Sequence, residues 1–231
     1  MTAAAVKPLR LAVLISGRGS NMLAIARACR EGREGRIPAE IVTVLSDVPG
    51  VAGLDSAREL GLAADCIDAG GFRPGGRFDK PAFEAALSAA IDASQPDLII
   101  LAGFMRVLSP AFTARYAGRL LNIHPSLLPA YKGLHTHERV LESGDAWHGV
   151  TVHFVTAELD GGPLLGQARV PVLAGDDVAR LSARVQRQEH ILFPTVIDWI
   201  ARGRLRWNNG SPQFDGVALV TPRMLPDAQA S

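Results

Sequence analysis

The sequence predicts an α/β fold, a mostly parallel twisted sheet with helices on both faces. Continuous apolar runs of four or five residues recur along the chain and end at polar or glycine residues. Such runs are typical of strands that are buried on both faces of a parallel sheet. Segments with helical spacing of apolar residues separate the runs. This alternation of strands and helices favours a parallel sheet covered on both sides.

The predicted elements follow in order along the chain. Strands are expected at residues 11–15 (LAVLI), 41–45, 65–68, 98–101 and 120–123. Helices are expected at 21–30, 54–60, 81–93 and 176–200, and the third has Pro81 in its first turn, where proline is tolerated. Two later strands, 150–156 and 164–172, could pair around the turn that begins at Asp160-Gly161.

We expect one domain over residues 1–231, because no repeat and no clear linker interrupts the chain. Residues 1–10 form an N-terminal extension in this prediction, and 203–231 form a C-terminal tail. Asn208-Asn209-Gly210 in the tail is typical of a hairpin turn.

The composition restricts the class of function. The net charge is +1, with 24 basic and 23 acidic residues among 231, which argues against broad binding to nucleic acid or to a membrane surface. Two cysteines cannot build a disulfide framework. The apolar runs are too short to cross a bilayer, and the first ten residues lack the apolar core of a signal peptide. We therefore expect a cytoplasmic protein that acts on small molecules.

The segment from Ser16 to Asn21 (SGRGSN) joins a buried strand to a helix. Glycines allow a tight turn there, and free N–H groups at the start of a helix can bind a phosphate. The pattern matches neither a dinucleotide fingerprint nor a Walker loop. An ordinary strand–helix turn, capped by Ser20 or Asn21, is the alternative.

A second polar group ends the strand at 120–123. Asn122 and His124 lie on the same side because side chains alternate along a strand. An amide donor beside an imidazolium can stabilise a developing oxyanion and donate a proton. Asp160, in an acidic loop, could keep His124 charged. The alternatives are a polar strand end for the first pair and a turn cap for Asp160.

A metal site would draw on His135, His137, His148 or His153. The chain has no cysteine pair and no HExxH pattern, so we expect no metal. It also lacks the Gly-x-Ser-x-Gly elbow of the serine hydrolases.

Four runs together resemble the phosphoribosylglycinamide formyltransferase family: 11–21 (LAVLISGRGSN), 101–109 (LAGFMRVLS), 121–137 (LNIHPSLLPAYKGLHTH) and 149–163 (GVTVHFVTAELDGGP). The resemblance extends from residue 11 to about 206. It implies a Rossmann-like formyltransferase fold and a role in purine biosynthesis. It also implies direct transfer of the formyl group of 10-formyltetrahydrofolate to the amine of 5-phosphoribosylglycinamide, through a tetrahedral intermediate.

The same resemblance assigns residues by position. It implies that Asn122, His124 and Asp160 are catalytic. It implies phosphoribosylglycinamide binding by Gly19, Ser20, Asn21, Met22, Leu23, Gln186 and Glu189. It implies folate binding by Lys80, Met105, Arg106, Val107, Leu108, Asn122, Thr156, Ala157, Glu158, Leu159 and Asp160. Lys80 stands where the family often has Arg, and Arg18 where it often has Asn.

Other functions are distinguished by simple observations. A formyltetrahydrofolate hydrolase usually carries an extra N-terminal domain, and a transfer-RNA formylating enzyme an extra C-terminal domain; we expect neither here. A non-catalytic phosphosugar or folate module would not need Asn122, His124 and Asp160 together. A metallohydrolase would use His135 and His137. We expect a monomer or a homodimer.

Overall fold

The computed structural model describes residues 7–30, 35–208 and 210–226. The chain divides into two compact units: one holds the residues up to Leu108 together with Ile197–Arg202, and the other holds Ser109–Val196 and the chain from Gly203 onward. A single domain over 1–231 stays a prediction. Residues 1–6 of the predicted extension, Asn209 of the predicted turn and 227–231 of the predicted tail lie outside the described residues.

The first unit is built from parallel strands joined by helices. Its strands are β1 (Leu9–Ile15), β2 (Ala39–Ser46), β3 (Ala64–Cys66) and β4 (Leu98–Leu101), and its helices are α1 (Ser20–Cys29), α2 (Ala52–Glu59) and α3 (Lys80–Ala93). The strands pair in parallel in the order β4-β1-β2-β3. Residues 11–15 of β1 are fully buried. This strand is paired on one side with β2 and on the other with β4. The α/β class that the sequence predicts is confirmed.

The strand order predicts where a ligand crevice lies within this unit. The chain moves from β1 through β2 to β3 and then crosses back over β1 to β4. Because crossover connections are right-handed, α1 and α2 cover one face of the strands and α3 covers the other. The order reverses between β1 and β4, so the loops after these two strands open a crevice of the kind that binds ligands in α/β sheets.

The second unit contains the remaining elements. Its strands are β5 (Leu120–His124), β6 (Trp147–Phe154), β7 (Leu164–Pro171), β8 (Leu205–Asn208), β9 (Ser211–Phe214), β10 (Val217–Ala218) and β11 (Arg223–Met224). Its helices are α4 (Pro110–Arg115), α5 (Thr136–Ser143) and α6 (Val178–Ala201), and the end of α6 from Ile197 onward belongs to the first unit.

Strand pairing in the second unit is mixed. β6 pairs antiparallel with β5 and with β7, whereas β11 pairs in parallel with β7. β8, β9 and β10 form a separate antiparallel sheet. Apart from that small sheet, parallel pairings predominate in the two units, as the sequence predicts.

The structure adds two helices that the sequence analysis did not predict, α4 and α5. Helix α4 has a local cause: the hydroxyl of Ser109 accepts a hydrogen bond from the N–H of Phe112 at 3.2 Å, and Pro110 follows the cap. Helix α5 begins after His135, whose φ of 58° is left-handed, and no side chain caps it. Strand β6 runs from Trp147 to Phe154, so Thr156, which the predicted strand 150–156 includes, lies in the loop after the strand.

Candidate active site

Asn122 and His124 occupy the end of β5, as the sequence predicts. The register of the antiparallel pair places His153 of β6 opposite Asn122. The Asn122 amide nitrogen lies 3.2 Å from His153 Nε2. An amide nitrogen carries two hydrogens, so one remains for an oxygen of a bound molecule.

The His124 ring is buried, with 6% of its surface exposed. Its Nε2 lies 2.9 Å from the Tyr131 carbonyl oxygen. A carbonyl can only accept, so this nitrogen carries a hydrogen. Its Nδ1 lies 3.5 Å from Asp160 Oδ2, which is longer than an ordinary N–H···O bond.

Asp160 is held by its backbone environment as well as by His124. Its φ of 49° is unusual for a residue other than glycine, and only 8% of its surface is exposed. The Gly133 N–H donates to Oδ2 at 2.9 Å, and His153 Nε2 lies 3.8 Å from Oδ1. The structure therefore brings the three predicted catalytic residues into one cluster within the second unit.

His153 is a member of this cluster that the sequence analysis treated only as a metal candidate. Burial lowers its pKa, against the opposing effects of the Phe154 carbonyl and Asp160. The Phe154 carbonyl oxygen is 2.9 Å from Nδ1, which therefore carries the hydrogen. Nε2 is then left as the acceptor for the Asn122 amide, and the neutral ring orients that amide. The alternation of Thr151 and His153 along β6 was the available signal in the sequence.

Buried polar side chains support the turn that faces His124. The Thr151 hydroxyl donates to the Ser126 carbonyl at 2.7 Å and accepts from the Leu128 N–H at 3.1 Å. Gln167 Nε2 donates to the Leu128 carbonyl at 2.7 Å. Because every one of these groups is paired in a buried position, the turn is held firmly, and with it the Tyr131 carbonyl.

The loop that contains Asp160 carries the other predicted folate residues of this unit. Thr156 is half-buried, whereas Ala157, Glu158 and Leu159 are exposed. Glu158 Oε1 lies 2.7 Å from Lys132 Nζ. This ion pair and the bond from Gly133 to Asp160 join the two loops beside His124.

The predicted glycinamide residues Gln186 and Glu189 lie on α6 and are half-buried. They are three positions apart, so they are neighbours on the helix surface.

The predicted phosphate loop lies in the first unit, where β1 gives way to α1. Gly19 has a φ of 71° and precedes α1. A Cβ on Gly19 would lie 3.1 Å from Gly53 Cα, and one on Gly53 would lie 2.6 Å from the Gly17 carbonyl oxygen. Because an added Cβ would lie this close to the backbone, both positions favour glycine. Ser20, Asn21, Met22 and Leu23 form the first turn of α1, and none is acidic, so the positive end of the helix is not neutralised there.

The predicted folate residues of the first unit share a pocket of about 270 Å³. It is lined by Phe78, Lys80, Phe83, Glu84, Met105, Arg106, Val107 and Leu108. Met105 and Val107 are 74% and 65% exposed, although both are apolar. An apolar surface beside the Lys80 ammonium suits a flat heterocycle with an anionic tail.

The histidines do not assemble into a metal site. His137 Nδ1 lies 2.9 Å from His148 Nε2, whereas His135 is exposed and lies 3.6 Å from Glu138. In the described ranges, no three His, Cys, Asp or Glu side chains are grouped closely enough to hold a metal ion. None of the helices found in those ranges is both long and apolar enough to span a membrane.

Comparison with known proteins gives consistent matches. A sequence model of the formyl transferase family matches residues 9–197. The phosphoribosylglycinamide formyltransferase of Escherichia coli K12 is 49% identical over 211 residues, which cover 91% of this chain and 96% of the relative. That of Haemophilus influenzae is 42% identical over 210 residues, covering 91% and 95%. The solved structure of the Coxiella burnetii phosphoribosylglycinamide formyltransferase is 42% identical, with a TM-score of 0.86, and the match covers 95% of this chain and all of that one.

Proposed function

The chain belongs to the formyl transferase family, and on that premise we propose that it transfers the formyl group of 10-formyltetrahydrofolate to the amine of 5-phosphoribosylglycinamide in purine biosynthesis. The relatives that match nearly their whole length support this reaction. The observation that carries the proposal is the cluster of Asn122, His124 and Asp160 in the second unit.

The proposed reaction begins when the neutral amine attacks the formyl carbon. A carbon–nitrogen bond forms, and the formyl oxygen gains negative charge in a tetrahedral intermediate. The intermediate then breaks its bond to N10 of the folate, which takes up a proton, while the former amine loses one. The enzyme must therefore stabilise an oxyanion and allow proton movement between two nitrogens.

We propose that Asn122 and His124 stabilise the oxyanion by donating hydrogen bonds to it. The Asn122 amide uses one hydrogen toward His153 and has a second for the substrate oxygen. His124 Nε2 lies 2.9 Å from the Tyr131 carbonyl oxygen, whereas within the described part of the chain Nδ1 has only the 3.5 Å contact with Asp160. Nδ1 is thus the nitrogen whose hydrogen is available for sharing with the substrate. Asp160, whose Oδ2 lies on the Nδ1 side of the ring, orients it.

The remaining predicted residues are assigned to binding. The N-terminus of α1, with Gly19 and Ser20, would receive the phosphate of the amine substrate. The pocket lined by Lys80 and residues 105–108 would receive the folate. Holding both molecules removes the entropic cost of bringing the amine to the formyl group.

The test measures tetrahydrofolate release with and without phosphoribosylglycinamide. We expect release only when the amine is present. His124→Ala and Asp160→Asn should each lower kcat by about 10²–10³, the usual cost of losing one oxyanion donor or its support, while KM for either substrate changes little.

Asp215→Asn is a matched control, because it removes an acidic charge from an exposed ion pair with Arg204. It should retain the kcat of the unaltered protein. Turnover near that level in His124→Ala would remove His124 from the mechanism. Equal release without the amine would indicate a hydrolase instead.

A further inference from the structure

Asp47 is a buried acid of the first unit that none of the assignments above includes. It follows the last residue of β2, and 3% of its surface is exposed. Both carboxylate oxygens are engaged: Oδ1 accepts from the Ser16 hydroxyl at 2.5 Å, and Oδ2 accepts from Arg106 Nε at 2.5 Å. Hydrogen bonds to an ionised carboxylate are stronger than those between neutral groups.

The contact with Ser16 extends to the backbone of the predicted folate segment. The Ser16 hydroxyl accepts from the Met105 N–H at 2.8 Å while it donates to Asp47. The Ser16 N–H donates to the Gly103 carbonyl at 3.1 Å. Met105 is therefore linked to Asp47 through one hydroxyl, and Arg106 is linked to it directly.

The Arg106 side chain is also fixed by aromatic rings. Its guanidinium carbon lies 5.0 Å from the ring centre of Phe78 and 5.4 Å from that of Phe83. Both distances are typical of cation–π contacts. Phe78, Phe83 and Arg106 also line the pocket, so the anchoring contacts form one of its walls.

These contacts determine what the segment presents to the pocket. With Met105 held by its N–H and Arg106 by its guanidinium, the chain direction at 105–107 is set, and the side chains of Met105 and Val107 are left exposed. A segment without these two anchors would have to be ordered by the ligand itself, at a cost in affinity.

We propose that Asp47 is a positioning residue for the folate, acting through Ser16 and Arg106 to hold residues 105–108 in the conformation that binds it. This proposal rests on the proposed function. A purely structural role for a buried Asp–Arg pair is the alternative, since removing one partner of such a pair is destabilising wherever it occurs.

A second part-buried Asp–Arg pair provides the matched control. Asp176 lies 2.6 Å from Arg184, with side chains 4% and 17% exposed, and also accepts from the Leu173 N–H at 2.8 Å. It belongs to the second unit and to none of the predicted binding sets. Asp176→Ala should lower the melting temperature and leave the Kd for tetrahydrofolate unchanged.

The experiment measures the Kd for tetrahydrofolate by calorimetry, both KM values and kcat, and thermal unfolding of each variant. Asp47→Ala should raise the tetrahydrofolate Kd and the KM for 10-formyltetrahydrofolate by about tenfold or more, with kcat within about threefold. Asp47→Asn should show a smaller rise of at least about threefold, because its amide oxygen can still accept from Arg106 whereas Ser16 loses its acceptor.

The outcomes separate the two proposals. If the unaltered protein binds tetrahydrofolate but transfers no formyl group, the proposed reaction is wrong, and Asp47 is still judged by the Kd. A Kd within about twofold of the unaltered value in folded Asp47→Ala, or in Asp47→Asn should the alanine variant not fold, overturns the positioning role. An equal rise in Kd in Asp176→Ala overturns it as well.

Discussion

Acidification from pH 7 to pH 5 should destabilise the protein by about 2 kcal/mol because of one buried histidine, His148. Burial, followed by the nearby His137 and His124, lowers the pKa of His148 from 6.5 to about 4. Its Nε2 faces His137 Nδ1 at 2.9 Å, and among the described residues no hydrogen-bond partner reaches its Nδ1. A proton on this ring would lie in a buried position beside a second imidazole.

The direction of this pH effect follows from how many protons His148 binds in the folded and in the unfolded chain. Well above pH 6.5 the His148 ring is neutral in the folded and unfolded chains, so its titration takes nothing from the free energy of unfolding there. Between pH 6.5 and about 4 the unfolded chain binds a proton that the folded chain does not. The free energy of unfolding therefore falls as the pH falls, by at most about 1.4 kcal/mol per pH unit. Integrated from pH 7 to pH 5, the loss is about 2 kcal/mol.

The assay is urea unfolding followed by circular dichroism at pH 7 and at pH 5, on the unaltered protein and on His148→Gln. The glutamine side chain stays neutral at both pH values and can still bond to His137. Its packing cost appears at both pH values and cancels in the difference between them. We expect this difference to be about 2 kcal/mol smaller in His148→Gln.

His135→Gln is the matched control, because its side chain is 73% exposed in the same region of the chain. It should retain the pH dependence of the unaltered protein. If His148→Gln loses as much stability between pH 7 and pH 5 as the unaltered protein does, His148 is not the cause of the pH dependence.

Two further predictions follow from single contacts. Gly118→Ala should lower the free energy of unfolding by about 3 kcal/mol, because the added Cβ would lie 2.3 Å from Trp207 Cδ1 at a φ of 72°. Gly144 has the same φ, and among the described atoms nothing would contact an added Cβ there, so urea unfolding should show a loss of about 1 kcal/mol in Gly144→Ala. Equal losses of unfolding free energy in the two variants would contradict the clash with Trp207. His153→Phe should lower kcat by about 10- to 100-fold, with KM for the folate nearly unchanged, because Asn122 loses its acceptor. Steady-state kinetics test this, and an unaltered kcat would show that Asn122 needs no such support.

The strands were the most predictable part of the fold. Residues 98–101 form β4 as predicted, and 11–15 lie within β1. A parallel strand buried on both faces needs a continuous apolar run, so composition alone identifies it. The helices α4 and α5 were missed for different reasons. Ser109-Pro110 is a recognisable cap sequence that could have predicted α4. Helix α5 starts after His135, whose left-handed backbone conformation no local pattern indicates.

The candidate site was predictable in part. The resemblance pointed to Asn122, His124 and Asp160, and the structure brings these three side chains together in the second unit. Their catalytic roles stay a prediction until the variants are measured. His153 and Asp47 were not assigned to binding or catalysis, because each contacts a site residue that is distant in sequence. Asp47 is 59 residues from Arg106.

Local sequence was enough to locate the apolar runs that form buried strands and the polar residues that stand at their ends, because both follow from local composition and the alternation of side chains. Which of those ends meet depends on the order and register of the strands. The antiparallel register placed His153 opposite Asn122, and the crossover from β3 to β4 carried Arg106 to the carboxylate of Asp47. Such encounters depend on how strands are ordered and aligned, which is set by packing over the whole sheet and not by neighbours along the chain.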